Sequence, residues 1–343
     1  MADAQNPVGL LGIEFTEFAS PDSDFMHQTF IDFGFSMTHK AKGSDIFYYN
    51  QNDIHFLLNR KHDGFGLQFA KDHGPSICSM GWRVENAEFA FNEAVRRGAK
   101  AADPTQTDLP YPAIYGIGDS LIYFIEPSTQ MLKNEFDALA EPLLVQEKGF
   151  MEVDHLTNNV YKGTMAHWAD FYKNIFGFTE VRYFDINGAK TGLQSYALRS
   201  PDGSFCIPIN EGKDDDKNQI DEYLQEYKGP GVQHLAFRSR DILDSLDAME
   251  GTAIKTLDII DSYYEEVFDR VPGITEDPKR IKHHQVLVDG DDSGYLLQIF
   301  TRNLFGPIFI EIIQRKNNLG FGEGNFQALF ESIELDQQRR GVL

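Results

Sequence analysis

Apolar residues along the chain recur at two periods, and the changes of period mark the elements. Alternation or short apolar runs predict strands at residues 9–18, 46–49, 54–58, 76–82 and 121–125. Between them the spacing lengthens to that of a helix. Residues 22–33 place Phe25, Thr29 and Phe33 on one face, and Ala87, Phe91, Ala94 and Val95 mark a second helix that stops at Gly98. The second half follows the same grammar. Residues 150–158 read as a strand, followed by a helix bearing Met165, Trp168, Tyr172 and Ile175. The strand GVQHLAF then precedes a helix with Ile242, Leu243, Leu246 and Met249 on its apolar face.

Two local signatures recur in the same order. The first helix of each half ends in an aromatic-Gly-aromatic step, Phe33-Gly34-Phe35 and Phe176-Gly177-Phe178. Gly74-Pro75 precedes ICSMGW as Gly229-Pro230 precedes VQHLAF. Paired features about 143–155 residues apart indicate a duplicated βαβββ module. The expected class is α+β, with an N-terminal domain over 1–140 and a C-terminal domain over 149–343. The boundary falls near 133–148, a charged stretch with one proline.

Composition narrows the function more than the fold. A chain of 343 residues suits about two domains, and 41% hydrophobic residues with 28 Phe suffice for a core in each. A net charge of −22 and a pI near 4.7 argue against nucleic acid or an anionic membrane as partner. An anionic substrate would need local positive charge, most simply a metal ion. The two cysteines, Cys78 and Cys206, lack motif spacing, which excludes a thiolate zinc site and fits a reducing compartment. The N-terminus lacks a signal peptide's basic start and apolar run, and no stretch reaches transmembrane length. The expected location is cytoplasmic.

The candidate chemistry lies in the second half. In the strand that starts residues 306–326, Glu311 alternates in phase with the large apolar Phe309 and Ile313. A buried unpaired carboxylate costs several kcal/mol, so it needs a cation or an arginine such as Arg302. His155 is in phase with Met151 and Val153, and His234 with Val232 and Ala236. The corresponding N-terminal positions, about Phe15 and Ser79, are not a ligand pair, so the first half reads as structural. Two imidazoles and a carboxylate leave coordination positions open. That set suits a non-haem Fe(II) oxygenase, or zinc with a bound water for hydrolysis or isomerisation. Alternation turns Gln233 away from this face. His283-His284, being adjacent, would face opposite sides of a strand, and His27, His39, His55, His62, His73 and His167 lie outside the pattern.

The motifs VDHLTNNV, GVQHLAF, GYLLQIF, FIEIIQR and GFGEGNFQALF, in this order, resemble the 4-hydroxyphenylpyruvate dioxygenase family of the vicinal-oxygen-chelate fold. The resemblance implies two vicinal-oxygen-chelate domains with open barrels. It also implies Fe(II) held by His155, His234 and Glu311. By local match, Ser195, Asn210 and Gln219 would hold the substrate phenol, and Gln298, Phe309, Phe321, Asn325 and Phe326 would complete the wall. The implied reaction takes a 2-oxo acid substrate and O2 to homogentisate and CO2, without 2-oxoglutarate, in a homo-oligomer. A related reading is 4-hydroxymandelate synthase, which carries a smaller aliphatic residue at the position of Phe326; another is extradiol cleavage of catechols. A metal-free binding module of the drug-resistance type is disfavoured by the three ligands. Residues 255–282 match the family poorly, and their role stays open.

Residues 325–335 read as a helix, with Phe326, Leu329, Phe330 and Ile333 at helical spacing and Asn325 as N-cap. Three glycines in Gly320-Phe321-Gly322-Glu323-Gly324 join it to the Glu311 strand, which predicts a lid over the site.

Overall fold

The computed structural model describes residues 2–187, 192–213 and 218–341. They form two eight-stranded mixed sheets, one per half, with helices packed on them. From edge to edge the first sheet runs Ala113–Tyr115, Leu121–Ile125, Ser76–Val84, Leu10–Ala19, Ile54–Asn59, Ile46–Gln51, Ser36–Ala41 and Phe136–Leu143. The second runs Thr179–Asn187, Gly192–Arg199, Cys206–Gly212, Phe150–Asn159, Gly231–Ser239, Phe309–Lys316, Gly294–Phe300 and Leu287–Asp291.

The duplication is visible in the pairing. At the centre of each sheet the first strand runs antiparallel to the Gly-Pro strand, Leu10–Ala19 against Ser76–Val84 and Phe150–Asn159 against Gly231–Ser239. Each of these four strands takes a parallel partner on its other side. Such buried parallel pairs need crossover helices, which is why helices follow the first strand and the Gly-Pro strand in both halves.

The recurring aromatic-Gly-aromatic steps lock the halves together. Phe33 and Phe35 sit 5.7 and 5.9 Å from Phe237 of the other half's Gly-Pro strand. Reciprocally, Phe176 and Phe178 sit 4.5 and 5.9 Å from Trp82. Edge-to-face and tilted rings at these distances add roughly 0.5–1.5 kcal/mol per pair beyond area burial. The glycine between them is required. Gly34 and Gly177 have φ of +85° and +80°, and a Cβ on Gly177 would lie 2.2 Å from the Gln5 carbonyl oxygen.

Three expectations shift. On the helix Ser23–Asp32 and its C-cap Phe33, Thr29 and Phe33 are buried as expected beside Met26 and Phe30, but Phe25 is 51% exposed. Val95 is likewise partly exposed, and Ala90 and Ala94 face inward on Ala87–Arg96. The boundary stretch 133–148 carries structure of its own. The helix Ser128–Glu135 leads into the strand Phe136–Leu143, which pairs with Ser36–Ala41. That edge strand is exposed along most of its length, so no burial pattern marks it in the sequence. Among the described residues no helix is long and apolar enough to cross a membrane.

Candidate metal centre

Three adjacent central strands of the second sheet carry the three expected ligands. His155 lies opposite Ala236 on the Gly-Pro strand, and Ala236 lies opposite Glu311. His234 is two residues before Ala236, hence on the same face. The lone methyl of Ala236 leaves space above the sheet between the two flanking ligands. Into this space converge His155 Nε2 and Glu311 Oε2, 3.1 Å apart, and His234 Nε2, 3.4 Å from each. All three residues are buried. Donor separations of this size fit three corners around one ion with bond lengths of roughly 2.0–2.2 Å.

The surroundings fix which nitrogen of each imidazole points into the triad. His155 Nδ1 donates to Asp154 Oδ2 at 2.8 Å, and His234 Nδ1 donates to Gln233 Oε1 at 3.0 Å. Both partners are acceptors at those atoms, so each Nε2 is left with its lone pair for a metal. Without one, the carboxylates and imidazoles compensate one another. Burial opposes charging His155, but Glu311 and Asp154 outweigh it and push its pKa up to about 9. Burial raises Glu311, but the two imidazoles prevail and draw it down to about 2. Burial keeps His234 low. The metal-free triad thus holds its positive charge as a proton on His155, in the place a cation would take. Arg302, the alternative partner for Glu311, is instead exposed and donates to Asp258 at 3.1 Å.

The N-terminal half shows the same row of the sheet without a site. Phe15 lies opposite Gly81, and Gly81 opposite Tyr123, while Ser79 takes the position of His234. Phe15 and Tyr123 rings are 6.2 Å apart. A Cβ on Gly81 would lie 2.3 Å from the Phe15 ring, so the ring fills the space that Ala236 leaves open in the second half. We expect one tightly held metal ion per chain; metal analysis that finds two would contradict this assignment.

The open side of the triad faces a pocket of about 670 Å³. Ser195, Asn210, Gln219, Gln298, Phe309, Phe321 and Phe326 all line it. Phe309 stacks on the His234 ring at 4.8 Å, and Phe321 meets His155 edge-on at 5.7 Å. Gln298 Oε1 is buried and has no hydrogen-bond partner among the described residues, so it is poised for a ligand. Asn325 differs from expectation. It stands behind the wall, its Oδ1 receiving Tyr263 Oη at 2.7 Å and an Arg270 nitrogen at 3.0 Å. It ends a 3₁₀ turn, Glu323–Asn325, that leads directly into the last helix, Phe326–Arg340.

Gln233 lines the pocket despite alternation, because a register shift between Val232 and His234 breaks the period of two. The sequence also gave no sign of Phe184, whose ring is 5.2 Å from Phe326 and 6.0 Å from Phe321. Leu329, Phe330 and Ile333 of the last helix lie over the pocket, at the helical spacing expected of them. His283-His284 end a helix, Pro278–His283, with His284 bound to Asp247 at 2.6 Å. Residues 255–282 form a cradle for the C-terminal segment. Besides Tyr263 and Arg270, the Asp258 carbonyl receives Ser332 Oγ at 2.8 Å.

Both halves of the chain are similar to known proteins. Residues 4–135 match the family described as "Hydroxyphenylpyruvate dioxygenase, HPPD, N-terminal". Residues 152–297 match the "Glyoxalase/Bleomycin resistance protein/Dioxygenase superfamily". The chain is 73% identical to Protein MelA of Shewanella colwelliana, covering all of both chains. It is 45% identical to 4-hydroxyphenylpyruvate dioxygenase of Legionella pneumophila over 98% of each, and 42% identical to that of Pseudomonas aeruginosa over 99% of this chain and 98% of the other. A solved variant of 4-hydroxymandelate synthase from Streptomyces coelicolor shares the fold, with a TM-score of 0.82 over 96% of this chain and 99% of that one at 24% identity. Near-full-length identity at this level, over two domains of the vicinal-oxygen-chelate fold, means that the chain belongs to the 4-hydroxyphenylpyruvate dioxygenase family.

Proposed function

We infer that this enzyme is a 4-hydroxyphenylpyruvate dioxygenase that uses Fe(II) to convert 4-hydroxyphenylpyruvate and O2 to homogentisate and CO2, a step of tyrosine and phenylalanine catabolism. The observation that carries the reading is the buried triad of two imidazoles and one carboxylate, open on one side to an aromatic pocket. Three protein ligands on one face would leave coordination positions open, as in non-haem Fe(II) oxygenases. A bound Fe(II) would supply O2 activation and Lewis acidity toward the 2-oxo acid.

The chain's own residues bind, orient and exclude. His155, His234 and Glu311 would hold the ion, with Asp154 and Gln233 fixing the imidazoles. Phe321, Phe326 and Phe184 form an aromatic wall for the substrate ring. Ser195, Asn210 and Gln219 offer hydroxyl and amide groups for the phenol, and Gln298 supplies its unpaired carbonyl oxygen. Holding the ring against the wall limits which carbon is hydroxylated. The last helix covers the pocket with Leu329, Phe330 and Ile333, which keeps water out.

The test is anaerobic loading with Fe(II), addition of 4-hydroxyphenylpyruvate and O2, and identification of the product. Homogentisate with one O2 consumed per CO2 released is the expected result. 4-Hydroxymandelate would shift the reading to benzylic attack, and turnover of catechols alone would shift it to ring cleavage.

A further inference from the structure

We propose that Arg315 is a positioning residue that ties the orientation of the ligand His155 to the seating of the C-terminal helix. The proposal rests on the metal-centre reading above. Arg315 lies on the same strand as Glu311, four residues on, and is largely buried with its partner Asp154. Its Nε and Nη2 grip both oxygens of Asp154 at 2.7 Å each. One of those oxygens, Oδ2, also receives the Nδ1 proton of His155 at 2.8 Å. The remaining nitrogen, Nη1, donates to the carbonyls of Asn318 at 3.2 Å and Gly320 at 2.6 Å. Those carbonyls belong to the backbone that leads into the glycine hinge of the last helix.

The next residue after Gly320 is Phe321, whose ring meets the His155 imidazole edge-on. The segment that carries the helix therefore reaches one metal ligand by two routes, through the Phe321 ring and through the Arg315–Asp154 relay. A guanidinium is a planar fork that can hold a carboxylate with one edge and carbonyls with the other. Lysine, with one nitrogen, can keep the charge beside Asp154 but cannot hold both sides. Through this relay, an ion that fixes His155 also fixes Asp154 and Arg315, and with them residues 318–320. By thermodynamic reciprocity, a seated helix must then tighten metal binding.

The experiment measures amide hydrogen exchange over residues 318–326 of the full chain, anaerobically, with and without saturating Fe(II) and with no substrate. In the unaltered chain Fe(II) should slow exchange there by about fivefold or more, the lower range of ordinary coupling between sites. In Arg315→Lys, Fe(II) should still bind at saturation, but the slowing should fall below about twofold. Should Arg315→Lys not fold, Asp154→Asn breaks the relay from the other side and is expected to show the same loss. Equal protection in a metal-saturated variant overturns the relay, as does an unaltered chain that binds Fe(II) with no change in exchange. An unaltered chain that binds no metal at all overturns the metal-centre reading itself and the relay with it.

Discussion

Replacing Glu311 by Ala is expected to abolish turnover and weaken Fe(II) binding while the sheet stays folded. The carboxylate is the only anionic member of the triad, and it stands 3.1 Å from His155 Nε2 and 3.4 Å from His234 Nε2. Two neutral imidazoles cannot compensate the charge of a divalent ion. Loss of several kcal/mol of metal stabilisation corresponds to roughly 10³-fold in kcat/KM. The strand itself should survive, because Ile308, Ile310, Ile312 and Ile313 keep their buried packing. Removal of the carboxylate also takes away a chief influence that raises the pKa of His155. The checks are metal content after anaerobic loading, O2 uptake, and circular dichroism of the variant. O2 consumption at the normal rate by Glu311→Ala would refute the assignment of the ligands.

Ending the chain after Leu319 should give a folded protein that retains the three ligands but turns over poorly or consumes O2 without forming product. The lost segment supplies Phe321, Phe326, Leu329, Phe330 and Ile333 to the pocket wall. It is held shut by Tyr263 and Arg270 on Asn325, by Ser332 on Asp258, and by Gln337 Nε2 on Glu222 at 2.6 Å. Gly322 at the base has φ of +77°, in the region that favours glycine. We propose that the helix is a lid, closing over bound substrate and opening to admit it. With the wall gone, the substrate ring loses its aromatic contacts, and a misplacement of about 1 Å at the reacting carbon costs roughly 10²-fold. Water reaching the centre adds uncoupling to the loss of rate. The ratio of homogentisate formed to O2 consumed reads the effect directly. A truncated chain with normal rate and normal coupling would reduce the helix to packing.

The sequence by itself determined the parts of this protein that rest on local periodicity and on residue chemistry. The duplicated module was legible because each half repeats an aromatic-Gly-aromatic step and a Gly-Pro strand, and only glycine permits the left-handed turn and close approach at Gly34 and Gly177. The three candidate ligands were legible because ionisable residues at the centre of apolar strands are costly unless paired. The covering helix was legible because the spacing of Phe326, Leu329, Phe330 and Ile333 is helical.

Other features were decided by tertiary structure. Gln233 turns into the pocket through a bulge, which depends on strand register and not on the residue type. Asn325 looked like a pocket residue, but its side-chain oxygen is bound by Tyr263 and Arg270 from a segment whose role the sequence left open. The edge strand Phe136–Leu143 was not legible within the boundary stretch, because an exposed edge needs no buried face. The Arg315–Asp154–His155 relay joins positions far apart in the chain. No local pattern encodes such a contact, because it exists only once three strands are in register and an arginine, charged wherever it sits, finds its carboxylate inside the sheet.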